Sequence, residues 1–174
     1  MWSARRYQLS KGCGMKTSER GRALITELEG KRNVIYLDPI GLMTIGVGHL
    51  MTKDELTSGK ISILGVPTRY TDDGLTDLQI DQLLSQDLAS AEGAVNVGIK
   101  VELNQDQFDA LVSLTFNIGR HAFLNSTLRK VLNNGEYEEA EKQIARWNRA
   151  GNRIIPGLKR RRETEIDLFR GTLK

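Results

Sequence analysis

The sequence predicts an α+β fold, mostly helical, in which a small β-bearing N-terminal lobe and a helical C-terminal lobe are joined by a long helix. Three observations carry this prediction. Val34-Ile35-Tyr36-Leu37 is a β-prone run, and a turn tetrad separates it from a second such run over residues 42–47, so the two read as one hairpin. Leu83, Leu84, Leu88, Ala91 and Val95 recur at three- and four-residue intervals behind Thr76-Asp77-Leu78-Gln79, which is the pattern of a capped helix from 76 to about 97. Beyond it the segments keep helical periodicity to about residue 171.

Residues 1–16 are polar, basic and aperiodic and are expected to form a flexible extension. That leaves 17–174 as a single domain, with its N-terminal lobe over about 33–75, the connecting helix over about 76–97 and the helical lobe over about 98–171. Thr17 or Ser18 caps the first helix, Ala23, Leu24, Ile25 and Leu28 give it an apolar face, Glu29 falls on its last turn and Gly30 stops it. Asp38-Pro39-Ile40-Gly41 suits a type I turn, and Gly46 and Gly48 permit close backbone approach or a bulge. Thr52-Lys53-Asp54-Glu55 has capping-box spacing for a short helix, whereas the segment 57–73, with Gly59, Gly65 and Pro67, is expected to be loop.

In the helical lobe, Asn104 caps a segment carrying Phe108, Leu111, Val112, Thr115 and Phe116, which ends at Asn117-Ile118-Gly119. Asn125 or Ser126 caps another through Leu132, a helix over 136–147 follows, and Pro156 opens the last one, with Leu158, Ile166, Leu168 and Phe169 facing the core.

Composition bounds the function. With 39% hydrophobic and 27% charged residues in 174, the chain can bury one sizeable core without disulfides and is not disordered. Cys13 has no partner for an internal disulfide, and with only His49 and His121 beside it no zinc site is expected. No apolar run reaches the roughly 18 residues of a membrane span, and the basic N-terminus lacks the apolar core of a secretory signal, so the expectation is a soluble protein made in a cytoplasm, without stable membrane insertion. A net charge of +3 favours polyanions: nucleic acid, an anionic membrane face and the carboxylate-bearing bacterial wall all fit, as does a basic surface with no partner. Between Lys142 and Arg162 stand Arg146, Arg149, Arg153, Lys159, Arg160 and Arg161 with no acidic residue, a run that suits phosphate contacts, but no nucleic-acid-binding signature accompanies it.

Glu29 and Asp38 lie nine residues apart, one at a helix end and one at a hairpin turn. Cleavage of a glycosidic bond requires such a pair: a protonated acid beside the leaving oxygen, and a second carboxylate that activates water or attacks directly. Among 22 carboxylates a pair alone decides little; its neighbours decide more. Glu29-Gly30, Tyr36, Asp38 and Thr44-Ile45-Gly46-Val47-Gly48-His49, with gaps of nine, six and five residues between Glu, Asp, Thr and His, resemble the phage-type lysozymes, the endolysin muramidase family that includes T-even phage lysozyme. Phe116-Asn117-Ile118-Gly119, the segment 123–126, Arg146-Trp147, and Gly157-Leu158 followed by Arg161-Arg162 extend the resemblance, in order, over about 18–171.

The resemblance implies a bilobed lysozyme fold that hydrolyses the β-1,4 bond between N-acetylmuramic acid and N-acetylglucosamine in peptidoglycan, with inversion and without cofactor, as a monomeric phage or prophage endolysin. It implies Glu29 as general acid, Asp38 as the carboxylate that stays ionised, and Thr44 as the residue that holds the attacking water. A salt bridge from Glu29 to a basic side chain such as Arg162 is the competing structural reading, and both hold if the acid, as in the family, lies close to an arginine. For Asp38 the competing reading is a turn residue bonded to its own backbone. His49 matches a structural histidine paired with a carboxylate, for which Asp72, Asp73 and Asp77 are candidates. Leu50, Phe116 and Ser126 match positions lining the substrate cleft. With no export signal visible, release from the host cytoplasm to the wall would need a holin or similar route. Two other classes stay open: a muramidase-fold wall-binding module without catalysis, and a cationic membrane or nucleic-acid binder.

Overall fold

The computed structural model describes residues 14–38 and 41–173. Helix α1 (Glu19–Glu29) is capped by Ser18, whose hydroxyl accepts the Gly21 N–H. Thr17 is buried instead, and gives its N–H and its hydroxyl to Glu92 Oε1. The expected flexible extension falls outside the described residues up to position 13, but its last part is held: Asn96 bonds both the N–H and the carbonyl of Met15, and Lys16 pairs with Glu92 at 2.7 Å. The reason is that residues 14–17 lie on the connecting helix, where they satisfy buried Glu92.

Strands β1 (Arg32–Leu37), β2 (Met43–Gly46) and β3 (His49–Leu50) form one antiparallel sheet in that order. The Asp38 carbonyl accepts the Gly41 N–H at 2.9 Å and closes the first turn, while the turn's two central residues, on which its type depends, lie outside the described residues. Tyr36 is registered opposite Thr44, and Thr44 opposite Leu50, so these three side chains form a row on one face. Ile45 and His49 are paired on the other face, where Ile45 is fully buried in the core.

After α2 (Lys53–Ser58), with the Thr52–Glu55 capping box in place, the expected loop is a second hairpin of β4 (Lys60–Ile63) and β5 (Val66–Arg69). The residues taken as breakers have other jobs. Gly59 ends α2 in the left-handed conformation, Leu64 and Gly65 make a two-residue turn with φ of 50° and 84°, and Pro67 sits on a two-stranded ribbon that has only edges. Ile61 and Ile63 alternate inward and are buried, the one period-two signal present.

Helix α3 (Asp77–Gly98) bears the second capping box, Thr76 with Gln79, and buries Ile80, Leu83, Leu84, Leu88, Ala91 and Val95. Helix α4 (Gln105–Ile118), capped by Asn104, is the centre of the helical lobe and has a continuous buried run from Phe108 to Thr115. Around it lie α5 (Arg120–Leu124), which the sequence reading omitted, α6 (Thr127–Asn133) capped by Ser126, α7 (Tyr137–Ala145), the two-residue strands β6 (Arg149–Ala150) and β7 (Arg153–Ile154), also unforeseen, and α8 (Pro156–Arg170) with Pro at its start. A single apolar cluster runs from Ile45, Ile61 and Ile63 through α3 to Phe108, Phe123 and Leu168, so the two lobes share one core. Among the described residues no helix is long and apolar enough to cross a membrane.

Gly74 and Gly65 separate strain from collision. Both have positive φ, but a Cβ on Gly74 would sit 2.4 Å from the Asn33 carbonyl oxygen, which accepts the Leu75 N–H at 2.8 Å, whereas nothing lies within 4 Å of a Cβ on Gly65. Gly65→Ala should lower the unfolding free energy by about 1 kcal/mol and Gly74→Ala by about 3 kcal/mol or more, as measured by urea denaturation.

Candidate active site

Glu29 stands on the last turn of α1, with its side chain 22% exposed. Its Oε1 accepts from Arg161 Nη1 at 2.5 Å. Arg161 comes from α8 and is itself tied down, with Nε donating to Glu165 Oε1 at 3.1 Å and Nη2 to the Ser113 carbonyl at 3.3 Å. The expected partner, Arg162, is therefore corrected to Arg161. One step further along an α-helix turns the side chain by about 100°, and Arg162 is buried against Glu165, 2.9 Å from its Oε2, and donates to Asn117 Oδ1 at 2.9 Å.

The β-sheet supplies the facing wall. Thr44 is buried, and its hydroxyl donates to the Leu42 carbonyl at 3.1 Å. Tyr36, next in the row, has its ring under the Arg32 guanidinium, 5.4 Å from the centroid. Burial raises the Tyr36 pKa and the charge of Glu29 raises it further, with a smaller push from Asp38. Asp38 Oδ1 accepts the Leu42 N–H at 2.8 Å, the turn contact that its structural reading expected. Gly48, at φ 76°, is where the lobes close: a Cβ there would lie 3.8 Å from Glu29 Oε2 and 4.0 Å from Phe116 Cε1. Glu29 and Phe116 thus meet at Gly48, while Tyr36, Thr44 and Leu50 share one face of the sheet, with Leu50 53% exposed and Phe116 half-buried. Ser126 is different. It is 7% exposed, and its hydroxyl donates to the Phe123 carbonyl and accepts the Arg129 N–H, so its polar capacity is used in capping α6.

The basic run of the C-terminal segment is dispersed by folding. Arg161 and Arg162 are buried in ion pairs, and Lys142 and Lys159 pair with Glu139 and Glu163.

The profile of the phage lysozyme family matches residues 26–165, from the end of α1 to Glu165. The chain belongs to the phage lysozyme family. It is 38% identical over 159 residues to the endolysin of Acyrthosiphon pisum secondary endosymbiont phage 1, covering 89% of this chain and 98% of that one. To the endolysin of Salmonella phage P22 it is 36% identical over 157 residues, covering 88% and 99%. A crystal structure of a mutant of P22 lysozyme, 36% identical, superposes with a TM-score of 0.73 over 89% of this chain and 98% of that one. As a phage-type lysozyme the protein is an endolysin-type glycoside hydrolase, and its substrate is bacterial peptidoglycan.

Within this lysozyme the His49 partners also differ from expectation. His49 Nδ1 meets Asp87 Oδ2 at 2.9 Å and Nε2 meets Glu55 Oε1 at 3.3 Å, whereas Asp72 pairs with Arg69 and Asp77 with Lys31. The histidine joins β3 to α2 and α3, which no local spacing announces. Burial disfavours the charged ring, but the hydrogen bond and charge of Asp87, then of Glu55, outweigh it and hold the His49 pKa above its ordinary 6.5. For a group raised on folding, the stabilisation is full below the unfolded pKa and is lost as pH rises through the folded one. The stability difference between wild type and His49→Asn should therefore be largest below pH 6.5 and shrink as pH rises through the raised value of the folded state. Thermal melts across that range check it, and a difference independent of pH would exclude an ionised His49.

Proposed function

We propose that Glu29 is the general acid that protonates the glycosidic oxygen when this lysozyme cleaves the β-1,4 bond between N-acetylmuramic acid and N-acetylglucosamine. The observation that carries the proposal is the division of its carboxyl: Oε1 is taken by Arg161, while Oε2 is turned toward Gly48 and Phe116, where the two lobes meet. One oxygen anchors the group and the other is left for a substrate atom.

In this reading Asp38, on the far side of the Tyr36–Thr44 row, stays ionised and stabilises the oxocarbenium-like transition state or helps to direct water. The Thr44 hydroxyl donates its hydrogen bond to the Leu42 carbonyl, so its oxygen acts as acceptor for the attacking water. As the water's oxygen bonds to the anomeric carbon it gives up a proton to the Asp38 carboxylate, the glycosidic bond breaks, and the leaving oxygen takes the proton from Glu29. Attack from the face opposite the acid gives inversion. Leu50 and Phe116 form apolar walls for the sugar rings. Residues 17–174 act as one catalytic domain, as a monomer, held in the host cytoplasm until a holin or similar route admits it to the wall for lysis.

Release of reducing ends from purified peptidoglycan tests the assignment. Glu29→Gln keeps the shape and the Arg161 contact but removes the proton, and should reduce turnover by about 10²–10⁴-fold. Thr44→Val should lower it less. A wild-type protein inactive on walls of several chemotypes would refute the activity, and full activity in Glu29→Gln would refute only the role given to Glu29.

A further inference from the structure

We infer that Asn117 is a substrate-recognition residue whose side-chain N–H group donates to an amide carbonyl of the wall polymer; the inference rests on the lysozyme reading above. Asn117 lies on the last turn of α4, directly after Phe116, and is exposed. Its Oδ1 accepts from Arg162 Nη2 at 2.9 Å. A guanidinium only donates, so the oxygen of this amide must face Arg162 and the nitrogen must face away from it. Arg162 does not wander. It is 1% exposed and held by Glu165, which is fully buried.

The result is an amide whose orientation is imposed from beneath by a buried charge and whose two N–H donors are presented outward. Among the described residues Nδ2 makes no hydrogen bond of its own. The position adjoins the proposed acid: Asn117 is held by Arg162 and Glu29 by Arg161, neighbouring residues of α8, and Phe116, just before Asn117, reaches to within 4.0 Å of a Cβ at Gly48, as Glu29 Oε2 does within 3.8 Å. A neutral, fixed donor of this kind matches a neutral, strong acceptor; a carboxylate would be better served by the guanidinium itself. Peptidoglycan offers amide carbonyls in two places, the acetamido groups of its sugars and the amides of its stem peptides.

Asn117→Asp separates recognition from structure. It leaves an oxygen facing Arg162, now with a charge that strengthens the pair, and replaces the outward donors by an acceptor. A purely structural Asn117 would tolerate this change. As a recognition residue, Asn117→Asp should raise KM on intact peptidoglycan about tenfold with kcat within about twofold and no fall in melting temperature, and Asn117→Gln should recover most of the loss. The source of the carbonyl follows from two further polymers. If it is acetamido, the penalty persists on glycan stripped of peptide by an amidase and disappears on N-deacetylated peptidoglycan; if it is a stem-peptide amide, the reverse holds. An unchanged KM for Asn117→Asp, or a loss confined to kcat with a shifted pH profile, would overturn the inference. A wild-type protein that releases no reducing ends overturns the lysozyme reading itself, which is a different result.

Discussion

Glu165 is a carboxylate sealed inside the helical lobe, and the groups that neutralise it also build one side of the site. Burial lifts its pKa against the pull of Arg162, Arg161 and Ser113. Taking such a group out of water costs several kcal/mol unless cations and donors surround it. Helix α8 provides Arg161 and Arg162, four and three residues earlier and so on the same face, and α4 provides the Ser113 hydroxyl at 2.8 Å. Each arginine has reach left over. Arg161 extends to Glu29 and Arg162 to Asn117, so one buried charge orients both a proposed acid and a proposed recognition amide. Removing it would leave the Arg162 guanidinium buried without a carboxylate, a loss of roughly 3–5 kcal/mol.

The opposite side is held by different physics. The β-sheet offers one face to the opening, through Tyr36, Thr44 and Leu50, and the other to the core, through Ile45. Period-two alternation makes these a single decision, since a one-residue slip would exchange the faces. His49 fixes the sheet further by pairing with Asp87 of α3 and Glu55 of α2. Burial pushes Glu55 up, but the Thr52 cap contacts and His49 more than reverse this, so the same carboxylate serves the capping box and the histidine. Gly48 lies between this sheet and α1, at the point where a side chain would crowd Glu29 and Phe116.

What could be read along the chain was local. The capping boxes at Thr52, Thr76 and Asn104 are satisfied within four residues, so their helices start where the sequence says. The first hairpin was legible because its turn and alternating strands are contiguous. The hairpin of β4 and β5 was not, because Gly59, Gly65 and Pro67 look the same in a loop as at a helix stop, a tight turn and a ribbon edge. Helix α5 and the pair β6–β7 are too short to carry a periodic signal.

The sequence by itself determined the fold class, the family and the stretch from Glu29 to His49 around which the site is formed, since helix caps, turn chemistry and residue spacing are properties of neighbours. Only the tertiary structure decided that Arg161 rather than Arg162 meets Glu29, that Asp87 and Glu55 rather than Asp72, Asp73 or Asp77 meet His49, and that the hydroxyl of Ser126 is used as a cap while Asn117 is turned outward. His49–Asp87, Arg162–Asn117 and Arg161–Glu29 join residues 38, 45 and 132 positions apart, and the last also chooses between adjacent residues on one helix. Ion pairs act through space, and which arginine reaches a carboxylate depends on the rotation of α8 against α4 and α1, which is fixed by packing and not by order along the chain.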